Sequence, residues 1–382
     1  MKTVGVDIAA TAVRVAVVDG IDADGRARVV GIGMVPYREG VVDAGHINTP
    51  VVAAQALVAA LKQAGAPRYG FIAGFGAPEV ATTRISIPSG VKPSERISML
   101  RTTDTQISPT LPLADAILDT NFVRTTTTID GQQQDSLVVA AADHSQVELV
   151  KSLMTIARCE PRALDLTAAG LMRALVRTPR NNTEVHAMVD IGASKTTIAT
   201  RQGPHLRSVR VLPVGGQSLT RAIMAATNDD LEHAERRKMD IRLTNTAAAA
   251  PVELPPTTLY GTVVAATSPQ QAIESRLDEA VNTIINDLIE QIAATLENEG
   301  GAYGAGLTQA VVLSGLTALI PGLKERLIQR LGLQVQLGRP WAKIISSKST
   351  APYLVGDPDT PRPLLDLTTA IGLALWRKES RD

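Results

Sequence analysis

Two stretches of the chain share one pattern of apolar and polar positions. In the first, Val4 and Val6 alternate toward Asp7-Ile8, a small-residue turn Ala9-Ala10-Thr11-Ala12 follows, and Val13, Val15 and Val17 resume the alternation up to Val18-Asp19-Gly20. In the second, Met188, Val189 and Ile191 make the apolar run, Asp190 is its acid, Gly192-Ala193-Ser194-Lys195 forms the turn and Thr196-Thr197 begins the return. Each reads as a buried strand, a tight turn and a second strand. The recurrence in separate halves predicts a duplicated domain around a shared cleft.

The remaining pattern fills in α/β architecture. A strand over 29–35 follows the turn Asp22-Ala23-Asp24-Gly25; Asn48-Thr49-Pro50 caps a helix with Val51, Val52, Ala56, Leu57, Ala60 and Leu61 at helical spacing; and 70–75 is a buried strand. From Ala81 the character changes to half-exposed strands over 83–88, 117–127 and 136–141, a short helix over 93–103 and a Pro/Ser/Thr-rich stretch over 105–115. A helix over 145–158 has Val147, Leu149, Val150, Leu153, Met154 and Ile156 as its expected buried stripe, and a further helix is expected over 163–175. Beyond the second hairpin, a strand over 210–214 runs into Gly215-Gly216 and a helix opening at Gln217 to Thr220; helices over 229–239, from Ser268-Pro269 to Gly300-Gly301, to Leu331 and over 364–377 alternate with strands over 310–315 and 334–337. The expected division is a first domain over 1–82 and 163–183, an inserted small α+β subdomain over 83–162, a second domain over 184–362 carrying a flexible Ala/Thr/Pro-rich insertion over 243–267, and a C-terminal helix over 363–382 packing on the first domain.

Bulk properties narrow the function classes. The 382 residues leave room for two cores, and with 3% aromatics those cores are built from Val, Leu, Ile and Ala. The 38 basic and 38 acidic residues cancel, which argues against nucleic acid as partner. A lone Cys159 suits a reducing compartment. No run reaches the ~18 apolar residues of a membrane span, and no signal peptide is visible, so a cytoplasmic protein is expected.

The candidate chemistry lies in the turns. A carboxylate at the end of a buried strand costs free energy unless a cation or donor meets it, and a hydroxyl- and amide-rich turn beside it suits a phosphate with its hydrated magnesium. The glycine pair ahead of a helix offers backbone N–H groups to an anion or a ribose. Glu235 and Lys238, three residues apart, share a helix face and, taken alone, read as a surface ion pair.

In order and spacing these features resemble the actin-like ATPase superfamily, and within it the PilM family of type IV pilus assembly proteins and the related FtsA family. The resemblance runs from Val4 to Leu375 and is carried by the two Asp-Ile-Gly/Ala hairpins, Arg210 to Thr220, Ala234-Glu235-x-x-Lys238, Leu313-Ser314-Gly315 and the closing Ala370-x-Gly372 helix. It implies ATP or ADP with Mg2+ as cofactor. Asp7 and Asp190 would hold the metal through water, Ala9, Ala10, Thr11 and Ala12 would form the first phosphate turn, and Gly192, Ala193, Ser194, Lys195 and Thr196 the second. Gly215 and Gly216 would lie beside sugar and phosphates, Glu235 and Lys238 at ribose and adenine, and Gly315, Leu316 and Thr317 under the adenine. The block 83–162 resembles the subdomain special to FtsA and PilM. The implied partners are the N-terminal cytoplasmic segment of a PilN-like membrane protein, which recruits the protein to the inner face of the membrane, and other pilus platform or motor components, with self-association a further option.

The sequence also departs from the family pattern. Ala9, Ala10 and Ala12 stand where Gly and Ser are usual, Leu316 replaces a second Gly, and Thr167 stands where a Glu or Gln orients water in hydrolases of this fold. Threonine is no base near neutral pH, which points to slow or absent hydrolysis. Asp165 is the nearest carboxylate, with helix capping as its competing role. The alternatives are an FtsA-like division protein, disfavoured because the sequence stops soon after Trp376-Arg377-Lys378 without an amphipathic anchor; a nucleotide-binding pseudo-ATPase; and a small-molecule kinase of the same superfold, for which no catalytic base stands out.

Overall fold

The computed structural model describes residues 2–22, 26–102, 116–128, 130–175, 184–203, 205–243, 268–302, 308–340, 344–347, 350 and 362–376. The turn at 23–25, the Pro/Ser/Thr-rich stretch 105–115 and the insertion beyond Leu243 lie outside these. Valine-rich strands open the chain: Lys2–Ile8 (β1), Ala12–Ile21 (β2) and Ala27–Pro36 (β3). The short pair Val42–Asp43 (β4) and His46–Ile47 (β5) leads to the helix Pro50–Gln63 (α1) and the strand Tyr69–Phe75 (β6). Next come Ala81–Pro88 (β7), Pro93–Thr102 (α2), Ile117–Thr127 (β8), Gln133–Ala142 (β9), His144–Ala157 (α3), Glu160–Leu166 (β10) and Thr167–Leu175 (α4).

The second half repeats the design. Val185–Ile191 (β11), Thr196–Gln202 (β12) and His205–Leu212 (β13) are followed by helices Gly216–Thr227 (α5), Leu231–Asp240 (α6) and Pro269–Ala302 (α7). Ala310–Ser314 (β14), a 3-10 turn Leu316–Leu319, Leu323–Leu331 (α8), Gln334–Leu337 (β15), Ile344–Ser346 (β16) and Arg362–Ala374 (α9) complete it. The first sheet has the order β10-β6-β1-β2-β3-β16 and the second β13-β12-β11-β14-β15. In both, a three-strand antiparallel meander is extended by two parallel strands on the side of its first strand. The duplication read from the hairpins is therefore a duplication of topology.

Each sheet buries both faces. On the first, α1 and α3 pack through Leu57, Leu61, Val150 and Leu153 on one side, and α9 through Leu367, Ala370 and Ile371 on the other. On the second, α5, α7 and α8 cover one side through Leu219, Ile285, Ile292 and Leu327, and α4 meets the other at Met188, Ala199 and Val211. The helices α4 and α9 thus lie back to back between the sheets. A third sheet, β7-β9-β8, closes its own core with α2 through Leu100, Leu118 and Leu137. It is the inserted subdomain, and Arg84 on β7 reaches Gln202 of the second half at 3.5 Å.

Several sequence expectations need correction. Residues 160–166 were expected to lead into or start a helix and instead form β10, because the exposed edge of β6 offers a parallel ladder from Ala163↔Ile72 to Leu166↔Phe75. Helix α3 was assigned to the subdomain but packs on α1 and the first sheet, with Ala157 buried and Ile156 left 45% exposed. The chain returns to the first sheet at β16, which pairs with β3, well before residue 363. Helix α7 runs through Gly300-Gly301 to Ala302. Leu243, read as part of the flexible insertion, is buried and donates its N–H to the Pro321 carbonyl at 2.9 Å. Among the described residues no helix is long and apolar enough to cross a membrane.

Small residues set the contact between α4 and α9. A Cβ placed on Gly372 would overlap the Gly170 carbonyl, and one on Gly5 of β1 would overlap the Ala370 carbonyl. The Gly372→Ala variant is therefore expected to lose about 1–3 kcal/mol of stability through overpacking, read as a lower urea midpoint. An unchanged midpoint would show that the two helices do not touch there.

Candidate functional site

The first hairpin turn is held from within and from behind. Ala9 N–H donates to the Ala12 carbonyl at 3.1 Å, Tyr37 N–H to the Thr11 carbonyl at 3.1 Å, and the Tyr37 hydroxyl to the Ala9 carbonyl. Burial, with the Asp7 charge adding to it, pushes the Tyr37 phenol up, so it stays a donor. Asp7 faces Arg14 across the β1–β2 register and is 9% exposed. The Arg14 guanidinium is engaged elsewhere, with Asp366 of α9 at 2.6 Å and the Thr11 hydroxyl at 2.9 Å.

The second turn is closed by Gly192 N–H to the Lys195 carbonyl at 2.9 Å and anchored by the Thr196 hydroxyl to the Val214 carbonyl at 2.8 Å. Its own carbonyls then take the first amides of α5: Gly216 N–H donates to Gly192 O at 2.9 Å and Gln217 N–H to Ala193 O at 2.7 Å. The amides of Gly216 and Gln217 are therefore taken up by the turn carbonyls. The glycines serve close approach, as a Cβ on Gly215 would come 2.6 Å from both turn carbonyls. Thr317 also donates to Gly192 O, at 3.1 Å, and Gly315 (φ +85°) makes the turn that brings it there, in a conformation suited to glycine. Leu316 beside it is 44% exposed.

Glu235 and Lys238 are no isolated surface pair. The Lys238 ammonium donates to Glu235 at 2.7 Å, to the Thr220 hydroxyl at 2.8 Å and to the Gly216 carbonyl at 3.4 Å, while Thr220 donates to Glu235 at 2.6 Å. The α6 face therefore docks on the first turn of α5, next to Gly192 and Thr317.

The second hairpin turn touches the first half. Ala44 N–H, ahead of β5, donates to the Ser194 hydroxyl at 2.8 Å, and the Lys195 ammonium reaches into the first half to donate to the Gly76 carbonyl. Asp7, Asp190 and Lys195 then share one partly buried electrostatic environment. Burial raises the Asp7 pKa against the pull of Arg14 and Lys195. Asp190 is pushed up to about 6 by burial; the Ser314 hydroxyl, its neighbour on β14 though short of a well-formed hydrogen bond, and Lys195 oppose this, while the Asp7 charge adds to it. Burial also lowers the Lys195 ammonium, which the two acids counter. Among the described residues no group of three or more His, Cys, Asp or Glu gathers. A pair of under-compensated carboxylates fits magnesium, which keeps several of its waters and takes one or two protein carboxylates.

Asp165, the weak catalytic candidate, is committed elsewhere. It lies on β10, pairs with Arg173 of α4 and accepts Leu166 N–H at 2.9 Å, so it neither caps a helix nor stands free as a base. Thr167 opens α4, is 8% exposed and sits against Gly76. The sequence reading overlooked Arg14, Ala44, Gly76 and the linking role of Thr220. Arg14 was detectable as a cation inside an otherwise valine-rich buried strand; Ala44 and Gly76 carry no signal, since what they contribute is backbone.

The profile described as "Type IV pilus assembly protein PilM" matches residues 5–250, and that of "Cell division protein FtsA" matches 187–356. FtsA of Bacillus subtilis is 33% identical over 155 residues, 40% of this chain and 33% of that protein, so the match spans about a third of that relative's length. FtsA of Pseudomonas aeruginosa is 25% identical over 358 residues, 89% of this chain and 83% of that protein. The solved "PilM-PilN type IV pilus biogenesis complex" aligns with a TM-score of 0.73 at 22% identity, over 98% of this chain and 97% of that one. The duplicated sheets, the inserted subdomain and the profile that spans more than half of the residues agree: this chain has the actin-like fold and belongs to the PilM family of type IV pilus assembly proteins.

Proposed function

We propose that the chain binds ATP or ADP with magnesium between its two hairpins and acts as a scaffold of the pilus assembly platform, gripping the N-terminal cytoplasmic tail of a PilN-like membrane protein. The observation that carries this reading is the contact of the second hairpin turn with the first half, where Ser194 accepts from Ala44 and Lys195 donates to Gly76, with Asp7 and Asp190 within reach of each other's charge. A ligand that bridges these turns is in contact with both halves, so it biases how they sit and what surface they present. Asp7 and Asp190 would hold the hydrated metal; Thr11 and the second turn would face the phosphates; Lys238, Glu235, Leu316 and Thr317 would surround sugar and base. The partner comes from the solved relative, whose name pairs PilM with PilN. Recruitment through that tail would place the protein at the inner membrane face.

The test is a tail-peptide pull-down with and without Mg-ATP. Wild type should retain more peptide with nucleotide present, and Asp190→Ala should lose both nucleotide binding by calorimetry and that difference. Peptide capture indifferent to nucleotide would remove the coupling.

Hydrolysis should be slow. With Thr167 at the start of α4 and Asp165 tied to Arg173, no described carboxylate is free there to orient water. Turnover is expected below the ~1–10³ s⁻¹ typical of enzymes, and phosphate release within that range would overturn the scaffold emphasis.

The buried acids also give stability a pH signature. The folded Asp190 titrates at about 6 against an ordinary 3.8, so between those values the folded chain holds a proton that the unfolded chain has released. Its contribution to stability grows as pH falls through that window and is lost as pH rises through it. Asp190→Asn should therefore be more stable than wild type at neutral pH, with the advantage shrinking toward pH 4. Urea unfolding across this range checks the sign; Asp7, shifted the same way, preserves part of the slope.

A further inference from the structure

Asp7 and Arg14 are cross-strand partners. They sit directly opposite in the antiparallel ladder of β1 and β2, so both side chains rise from one face of the first sheet, with Cβ atoms about 4.5–5.5 Å apart. An acid and a guanidinium so placed would ordinarily close an ion pair. Here Arg14 turns elsewhere: its Nη2 lies 2.6 Å from an Asp366 carboxylate oxygen and 2.9 Å from the Thr11 hydroxyl, and its Nη1 approaches the Ala12 carbonyl at 3.5 Å. Its Nε is buried and has no acceptor among the described residues.

Helix α9 explains the diversion, because it runs along the face that carries Asp7 and Arg14. The Thr3 hydroxyl donates to the Ala374 carbonyl, and a Cβ on Gly5 would overlap the Ala370 carbonyl. Ala374, Ala370 and Asp366 share a helix face, as Thr3, Gly5 and Asp7 share a strand face. The next contact in this series falls on Asp7 and its partner Arg14, and there α9 presents Asp366. The Arg14 and Asp366 side chains are 7% and 22% exposed, so salt screens their attraction little. Arg14 thus has a carboxylate on the strand and one on the helix, and it is bound to the one on the helix.

A hydrated divalent ion needs carboxylate oxygens free to accept from its waters, and a guanidinium fork takes up those same lone pairs. We propose that Asp366 is a positioning residue for the metal side of the nucleotide site: by holding Arg14, it keeps the Asp7 carboxylate open to a hydrated divalent cation. The proposal rests on the nucleotide reading above and deepens it with a residue outside both hairpins that decides whether Asp7 is available.

The experiment is calorimetric titration of the full chain with ATP over a series of magnesium concentrations, arranged as a double-mutant cycle. In Asp366→Asn, Arg14 is released to Asp7, and the magnesium concentration that half-maximally tightens ATP binding should rise about tenfold or more. The same substitution in an Arg14→Gln background should leave that midpoint within about twofold of Arg14→Gln alone; circular dichroism confirms that each variant is folded. An unchanged midpoint in Asp366→Asn, an equal shift in both backgrounds, or a wild type whose ATP affinity ignores magnesium overturns the proposal and leaves nucleotide binding standing. Absence of wild-type ATP binding at every magnesium concentration overturns the nucleotide reading itself, and the proposal with it. A crystal structure of wild type with Mg-ADP decides the question even if Asp366→Asn fails to fold: Arg14 should still hold Asp366 with Asp7 turned to the hydrated metal, and Arg14 paired with Asp7 overturns the proposal.

Discussion

Two helices between two sheets determine where everything else falls. Without side chains at Gly170 and Gly372, α4 and α9 come into backbone contact, and without one at Gly5 the strand β1 lies directly under α9. Interiors pack at crystal-like density, so a spacing set by backbone contact is a stiff one. Polar links reinforce it: Arg173 donates to the Gly372 carbonyl at 2.8 Å while pairing with Asp165, and Arg14 pairs with Asp366. With the sheets held at this distance, the acids at the ends of β1 and β11 come within reach of each other's charge.

That placement has an electrostatic cost and a chemical use. Two carboxylates in a water-poor region repel each other and lose hydration, which is why burial drives both pKa values up. Lys195 offsets part of this charge from the opposite half, and the remainder is what a bound cation would relieve. The turn is braced through its carbonyls. Gly192 and Ala193 carbonyls receive the first amides of α5, and Thr317 and the Lys238–Glu235–Thr220 cluster brace the same corner. The second turn is therefore fixed in shape, while Ser194 and Lys195 join it to the other half.

Much of this was readable from local pattern. The alternation around Asp7 and Asp190 gave both hairpins. The errors share one cause. Residues 160–166 carry leucines and alanine that suit a helix, but the unpaired edge of β6 supplied a ladder that outweighed that preference. The segment 344–346 is too short to stand out as a strand, and pairing with β3 makes it one. Helix α3 follows the small sheet in sequence yet finds its apolar partners on α1. Lys238 and Glu235 looked like any surface pair until α5 came to lie against them.

By itself the sequence determined the periodicities, and with them the strands, helices and repeat, because burial of alternate or every third or fourth side chain is a local property of the chain. It also determined which residue types stood at the turns. Only the tertiary structure decided that Lys195 would reach Gly76, that Asp165 would be taken by Arg173, and that the α5 amides would face the turn carbonyls. Those outcomes depend on backbone groups and charges brought together from 119 positions apart in one case and from different elements in all, and no spacing along the chain encodes them.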